Sequence, residues 1–255
     1  MVALMDTLSQ RWARLEPHTT VVGPDDDRPR PAVLLFHGCG GLRDHLPRYA
    51  ETARAEGWRA FIVDSYAPRG WNRPFALATV CTGLLLRGGE RAGDILAALH
   101  GVSQRRDVDA SKIVLAGWSH GGWGIMEAMS SQRGRRMLGV EDPGAVSLDG
   151  VVGAYLAYPY VGIGAVNRMR PWRHCPKTLA VIARADHLTT VRNAERVHAM
   201  IRHCGAEVET WVADGSHSFD EPTSAPPMKF DPDLTAEALR RFGALLHDVA
   251  VAPPA

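Results

Sequence analysis

The chain has 255 residues, 45% of them hydrophobic and 22% charged. That composition suits a folded globular protein and excludes disorder over most of the length. Lys plus Arg number 29 and Asp plus Glu 28, a formal charge of +1, so nothing points to a nucleic-acid surface or an acidic partner.

At the N-terminus Asp6 interrupts the apolar residues before they reach signal-peptide length. The longest uncharged stretch, 150–167, is broken by Gly150, Gly153, Pro159, Gly162 and Gly164 and by three tyrosines. It reads as a strand followed by a loop and not as a membrane span. A cytoplasmic protein with no membrane partner is expected, export by another route staying open. Cys39, Cys81, Cys175 and Cys204 match no metal or redox spacing and are too sparse for a disulfide scaffold. Four reduced, mostly buried thiols are the expectation, with no metal site.

In chain order, Thr19 to Val22 reads as a short strand and 25–31 as a charged, proline-containing turn. Ala32 to Phe36 is a continuous apolar run, the pattern of a strand buried on both faces of a parallel sheet. Glycines 38, 40 and 41 follow, then a helix through Glu51 to Glu56 and a strand from Trp58 to Val63. Lys112 to Ala116 is the next strand, and an apolar helix through Met126 and Met129 follows it. Val151 to Ala157 and Thr178 to Ile182 are further strands. Over 190–204 Val191, Ala194, Val197 and Ile201 recur at helical spacing, and Gly205 stops the helix. Val208 to Val212 is the last strand. Asp231-Pro232 opens a final helix with the stripe Leu234, Ala238, Phe242, Leu245 and Val249.

Strands alternating with helices imply one three-layer α/β domain over 1–255, a mainly parallel central sheet flanked by helices. Residues 1–18 read as an N-terminal extension. Two stretches, 66–90 and 132–148, break the rhythm. The uncharged segment Phe75 to Leu86 inside the first reads as a helical lid or roof over the site. Ligand sites in such sheets lie at the carboxyl ends of the strands, so the chemistry is sought there.

Gly117-Trp118-Ser119-His120-Gly121 follows the strand KIVLA and precedes a helix. A serine nucleophile in so tight a turn needs neighbours without bulk two residues either side, and the helix aims its N-terminal partial positive charge at an oxyanion formed there. A serine hydroxyl needs a base. Of the 11 histidines, His217 follows the last strand and precedes the final helix. His187 is its rival, while His198 and His203 fall on a helix and are expected to face solvent. Asp186, at the end of Thr178 to Ile182 extended, is the candidate acid, with Asp214 the alternative; Asp149 precedes its strand and so lies at the wrong edge. The order Ser, Asp, His is that of α/β-hydrolases. The first sheet loop, His37 to Gly41, would supply an oxyanion hole from the N–H of Cys39 together with the N–H of His120, with His37 bracing the loop.

HGCGGL, VDSYAPRG, LAGWSHGG, ARADHLT and DGSHSFD together resemble the dienelactone hydrolase family of the α/β-hydrolase superfamily, over about 30 to 248. The resemblance implies a triad on Ser119, His217 and Asp186, no metal or cofactor, and a small ester or lactone as substrate. Dienelactone hydrolases proper use a cysteine nucleophile paired with a glutamate after the first core strand. Here Ser119 stands instead and HGCGG holds no glutamate, which implies a serine-type branch with general carboxylic-ester chemistry.

Arg69, after the second core strand, is a candidate to bind a substrate carboxylate, with a local salt bridge as its other reading. Trp118 and Tyr158 are candidates for the substrate pocket, together with Trp71, Phe75, Trp123 and Tyr155 as an apolar acyl wall. Two further readings stay open: an acyltransferase or peptidase on the same triad, and a binding protein that kept the fold without activity. A monomer or small homo-oligomer is expected.

Overall fold

Residues 5–130, 135–162, 164, 165 and 170–251 are described by the computed structural model. Seven strands form one sheet: β1 (Thr19–Val22), β2 (Arg30–Phe36), β3 (Arg59–Val63), β4 (Val108–Trp118), β5 (Val151–Ala157), β6 (Lys177–Ala185) and β7 (Val208–Ser216). Their order is β1-β3-β2-β4-β5-β6-β7; β1 runs antiparallel to β3 and every other pair is parallel.

The helices are α1 (Leu8–Leu15), α2 (His45–Ala55), α3 (Arg73–Thr79), α4 (Gly88–Ser103), α5 (His120–Ser130), α6 (Arg135–Leu138), α7 (Val191–Arg202) and α8 (Pro232–Val251). Side-chain alternation explains the continuous apolar strands. In β2, Leu34 and Phe36 join a core with Trp12 of α1, Ile95 of α4, Ile125 of α5 and Val197 of α7. Val33 and Leu35 point the other way, to Leu46 and Tyr49 of α2 and Phe242 and Leu246 of α8. The outcome is the expected three layers.

The strand and helix expectations hold with shifted ends, β4 and β7 in particular running further. Asp231 caps α8 as expected, its Oδ1 accepting from the N–H of Asp233 and Leu234 at 3.1 and 3.0 Å. Two of the helices, α1 and α4, lie outside the elements expected from the sequence, although Leu8, Trp12 and Leu15 of α1 stand at helical spacing. α1 starts with a capping box, Thr7 and Gln10 each accepting from the other's backbone N–H. α4 is buried on nearly every side, so it has no polar stripe to betray a period of 3.6. A Cβ at Gly101 would come within 2.2 Å of Trp12, so the α1–α4 contact needs glycine there.

Two expectations are overturned. Cys39 is bonded to Cys81, and Cys175 to Cys204; none of the four is a free thiol. The partners lie 42 and 29 residues apart, so only the packing of β2's loop under the α3 region, and of α7's end beside β6, brings them together. His198 faces inward: it is fully buried on α7, where burial pushes its pKa down to about 4. Among the described residues no helix is long and apolar enough to cross a membrane. Residues 132–134 of the irregular stretch 132–148 lie outside the described residues.

Candidate active site

The parallel strands end along one edge, and the residue just past each end carries the site. Ser119 follows β4, Tyr158 follows β5, Asp186 follows β6 and His217 follows β7. Ser119 sits at φ +49°, a conformation most side chains avoid. A Cβ at Gly117 would lie 2.6 Å from the Gly121 backbone, and one at Gly121 2.1 Å from the Phe36 carbonyl. That is the physical content of the G-x-S-x-G spacing: strand and helix approach too closely for any side chain at either position.

His217 Nε2 lies 2.9 Å from Ser119 Oγ, and His217 Nδ1 lies 2.8 Å from Asp186 Oδ2. Asp186 is itself oriented, since its Oδ1 accepts the N–H of Leu188 at 2.7 Å and of Thr189 at 3.1 Å. The carboxylate keeps the ring proton on Nδ1, which leaves the Nε2 lone pair facing the serine hydroxyl. All three side chains are nearly closed to solvent. His187 contributes only an edge contact to His217, ring centroids 5.7 Å apart. Asp214 is exposed and pairs with Arg184.

The loop after β2 lies on Ser119, a Cβ at Gly38 falling 3.6 Å from that of Ser119. Its first four carbonyls are each tied to a side chain. Arg91 Nη2 donates to the His37 carbonyl at 3.2 Å and His37 Nδ1 to that of Gly38 at 2.7 Å. The Tyr66 hydroxyl donates to the Cys39 carbonyl and Arg73 Nη1 to that of Gly40, both at 2.9 Å. In a trans peptide the N–H points opposite to the C=O, so anchoring the Gly38 carbonyl also sets the direction of the Cys39 N–H. Neither the Cys39 N–H nor the His120 N–H, at the start of α5, has a partner among the described residues.

His37 accepts the Ser65 N–H on Nε2 at 3.2 Å. Burial, then the nearby Arg91, pushes its pKa far down, so it stays neutral. His120 behaves alike: Nε2–H donates to the Leu86 carbonyl at 2.7 Å, and burial with Arg91 pushes it down to about 3. Two neutral imidazoles thus frame Ser119, one under the loop after β2 and one under Leu86.

A cavity of about 490 Å³ opens on Ser119, lined by Cys39, His120, Trp123, Tyr160, Leu188 and the stretch Val80 to Gly83 with Arg87. Of the segment expected as a helical roof, only the part to Thr79 is helical, in α3; the turns after it, Val80 to Gly83, form one wall of the cavity, and Cys81 there is bonded to Cys39 of the loop after β2.

Three expected substrate contacts are elsewhere. Arg69 grips Asp94 with both Nη atoms at 2.9 Å and borders a separate cleft with Arg11 and Trp71. Burial alone would raise the Asp94 carboxyl, but Arg69, with Arg11 and Arg91, overcomes it and holds the group well below the usual range. Trp118 and Tyr158 are buried behind Ser119, His217 and Asp186, on the α2–α8 side, both donating to Asp220. Their neighbourhood to Ser119 in sequence and sheet carried no information about which face they take. Tyr155 is in the same core, and Trp71 and Phe75 pack on each other beside Tyr66. Trp123 does line the cavity, with Tyr160, which the sequence reading did not single out.

The seven-stranded, mainly parallel sheet between helix layers has the α/β-hydrolase fold, with the serine, histidine and aspartate clustered at one strand edge. The family model of the dienelactone hydrolase family matches residues 18–138, the part holding the loop after β2 and the Ser119 turn, so the resemblance seen in the motifs is borne out. A dienelactone hydrolase-like promiscuous phosphotriesterase from metagenomic libraries is similar at 18% identity and TM-score 0.71, covering 91% of this chain and 92% of its own. Esterase 2 of Thermogutta terrifontis is similar in its form phosphorylated by paraoxon, at 15% identity and TM-score 0.66, covering 93% of this chain and 90% of that one. Its propionate-bound form gives 14% and 0.63, covering 93% and 91%. These likenesses establish the fold. No curated protein matches the sequence.

Proposed function

We propose that this protein is a serine hydrolase of small carboxylic esters or lactones, working through an acyl-enzyme. The observation that carries the reading is the unbroken hydrogen-bonded line from Asp186 through His217 to Ser119, facing a cavity of small-molecule size. Ser119 Oγ attacks the substrate carbonyl carbon as His217 Nε2 takes its proton, and Asp186 stabilises the imidazolium. The carbonyl electrons move onto oxygen, where the N–H groups of Cys39 and His120 and the N-terminus of α5 receive the charge. As the tetrahedral adduct collapses, His217 protonates the departing alkoxide. Water, deprotonated by the same His217, then releases the acid and restores Ser119. The reaction calls for no cofactor.

Hydrolysis of p-nitrophenyl esters from acetyl to decanoyl, with wild type beside Ser119→Ala, tests this reading. Short-chain activity lost in the variant supports it; activity surviving in the variant overturns the assignment of Ser119. The paraoxon adduct of the Thermogutta esterase recommends a fluorophosphonate as a second probe of Ser119. The two disulfides favour an oxidising compartment over the expected cytoplasm; trapping thiols in cells that make the protein, before lysis, checks this.

A further inference from the structure

Three residues past His217 the chain carries another carboxylate, Asp220, which the triad does not use. It is wholly buried. Three donors from three elements converge on it: the Tyr49 hydroxyl of α2 at 2.8 Å, Trp118 Nε1 at the end of β4 at 3.0 Å, and the Tyr158 hydroxyl just past β5. Tyr155 extends the chain, its hydroxyl 3.2 Å from that of Tyr49. Among the described residues no Lys or Arg pairs with Asp220.

A buried carboxylate without a cation is costly even when its oxygens are hydrogen-bonded, and an apolar side chain would serve a core better. What the carboxylate adds is a single geometry for three donors. Those donors are placed where catalysis needs geometry. Trp118 directly precedes Ser119. The Tyr158 ring lies against the His217 imidazole, centroids 4.8 Å apart at 60°, and Tyr158 is held at φ +36°, a backbone state its side chain must be anchored to keep. Asp220 shares the His217 loop, which turns back at Ser218 (φ +55°) and closes with the Glu221 N–H on the Ser218 carbonyl at 3.1 Å.

We infer that Asp220 is a positioning residue: it locks the base's loop to the strand end bearing the nucleophile and to the ring on which the base rests. This inference rests on the serine hydrolase reading. Asn at 220 keeps the shape but offers one acceptor oxygen where three donors compete. Loosening the base by a fraction of an ångström is enough to slow the chemistry without altering the cavity.

The experiment compares wild type, Asp220→Asn, Tyr158→Phe and the exposed control Asp214→Asn. Each is titrated with a fluorophosphonate so that kcat refers to competent sites, and each is checked by circular dichroism. Expected is a fall in kcat of about 10- to 100-fold for Asp220→Asn with KM unchanged, a smaller fall for Tyr158→Phe, and a double variant no worse than Asp220→Asn. Asp214→Asn should match wild type. If kcat per titrated site is unchanged in Asp220→Asn, Asp220 is merely structural and the inference falls. Should Asp220→Asn fail to fold, Tyr158→Phe decides, and wild-type kcat there overturns the inference. If wild type itself neither hydrolyses esters nor takes the probe, the serine hydrolase reading falls first and this inference with it.

Discussion

Removing the Cys39–Cys81 bond, by Ala at both positions, separates the stability of the roof from the chemistry beneath it. The bond closes a loop of 42 residues. In the chain-entropy account such a loop takes about 13 cal/mol/K from the unfolded ensemble, about 4 kcal/mol at 25 °C. For a chain of this length each kcal/mol moves the melting temperature by roughly 2–4 °C, so the variant should melt about 8–16 °C lower. Activity at 25 °C should respond differently. The loop's carbonyls keep His37, Tyr66, Arg73 and Arg91, so kcat should hold while KM rises, because Val80 to Gly83 form the cavity wall that the bond secures. Differential scanning calorimetry and p-nitrophenyl ester kinetics read both quantities. Denatured wild type without reductant should show no titratable thiol. Four titratable thiols, or a variant melting with wild type, would refute the reasoning.

Asp186→Asn should lower kcat by about 10⁴-fold, because an amide can hold His217 in the wrong tautomer; near-normal kcat would dismiss Asp186 as the orienting acid. His37→Ala leaves the Gly38 carbonyl with the Gly41 N–H alone, at 3.2 Å, and so loosens the Cys39 N–H. Its kcat should fall toward the roughly 10²–10³-fold cost of losing one oxyanion donor, with the fluorophosphonate rate falling in parallel. Stability should drop as pH falls below about 6.5. His120 and His198 titrate at about 3 and about 4 when folded, so between these values and the unfolded pKa the unfolded chain binds more protons and stability rises with pH. The full contribution is present above the unfolded pKa and is lost progressively down to the folded values, at up to about 1.4 kcal/mol per pH unit for each histidine. Urea midpoints between pH 7 and 5 measure it, and His198→Gln should flatten the slope.

Much of the site was legible because it is written locally. Ser119 is marked by two glycines whose absence of Cβ is forced by the strand–helix approach, and His217 and Asp186 by standing just past apolar runs. Arg69, Trp118 and Tyr158 were misplaced for one reason: each stands at or beyond the carboxyl end of a strand, and that position does not tell which side of the sheet edge a side chain takes. Trp118 and Tyr158 turn toward Asp220 and Arg69 toward Asp94, buried carboxylates whose environment no short motif announces. Tyr160 was overlooked because its role depends on a chain turn after β5 that carries no periodic signal.

The order of strands and helices, the mainly parallel sheet and the three residues of the hydrogen-bonded line follow from the sequence by itself. They depend on period, turn chemistry and chain order, which are properties of neighbours along the chain. The two disulfides, the inward turn of His198, the four tied carbonyls of the loop after β2 and the convergence of Tyr49, Trp118 and Tyr158 on Asp220 were decided only by the tertiary structure. Each joins residues tens of positions or more apart, or fixes a side-chain direction among several of similar local energy. Such choices are made when the layers pack and buried polar groups must find partners.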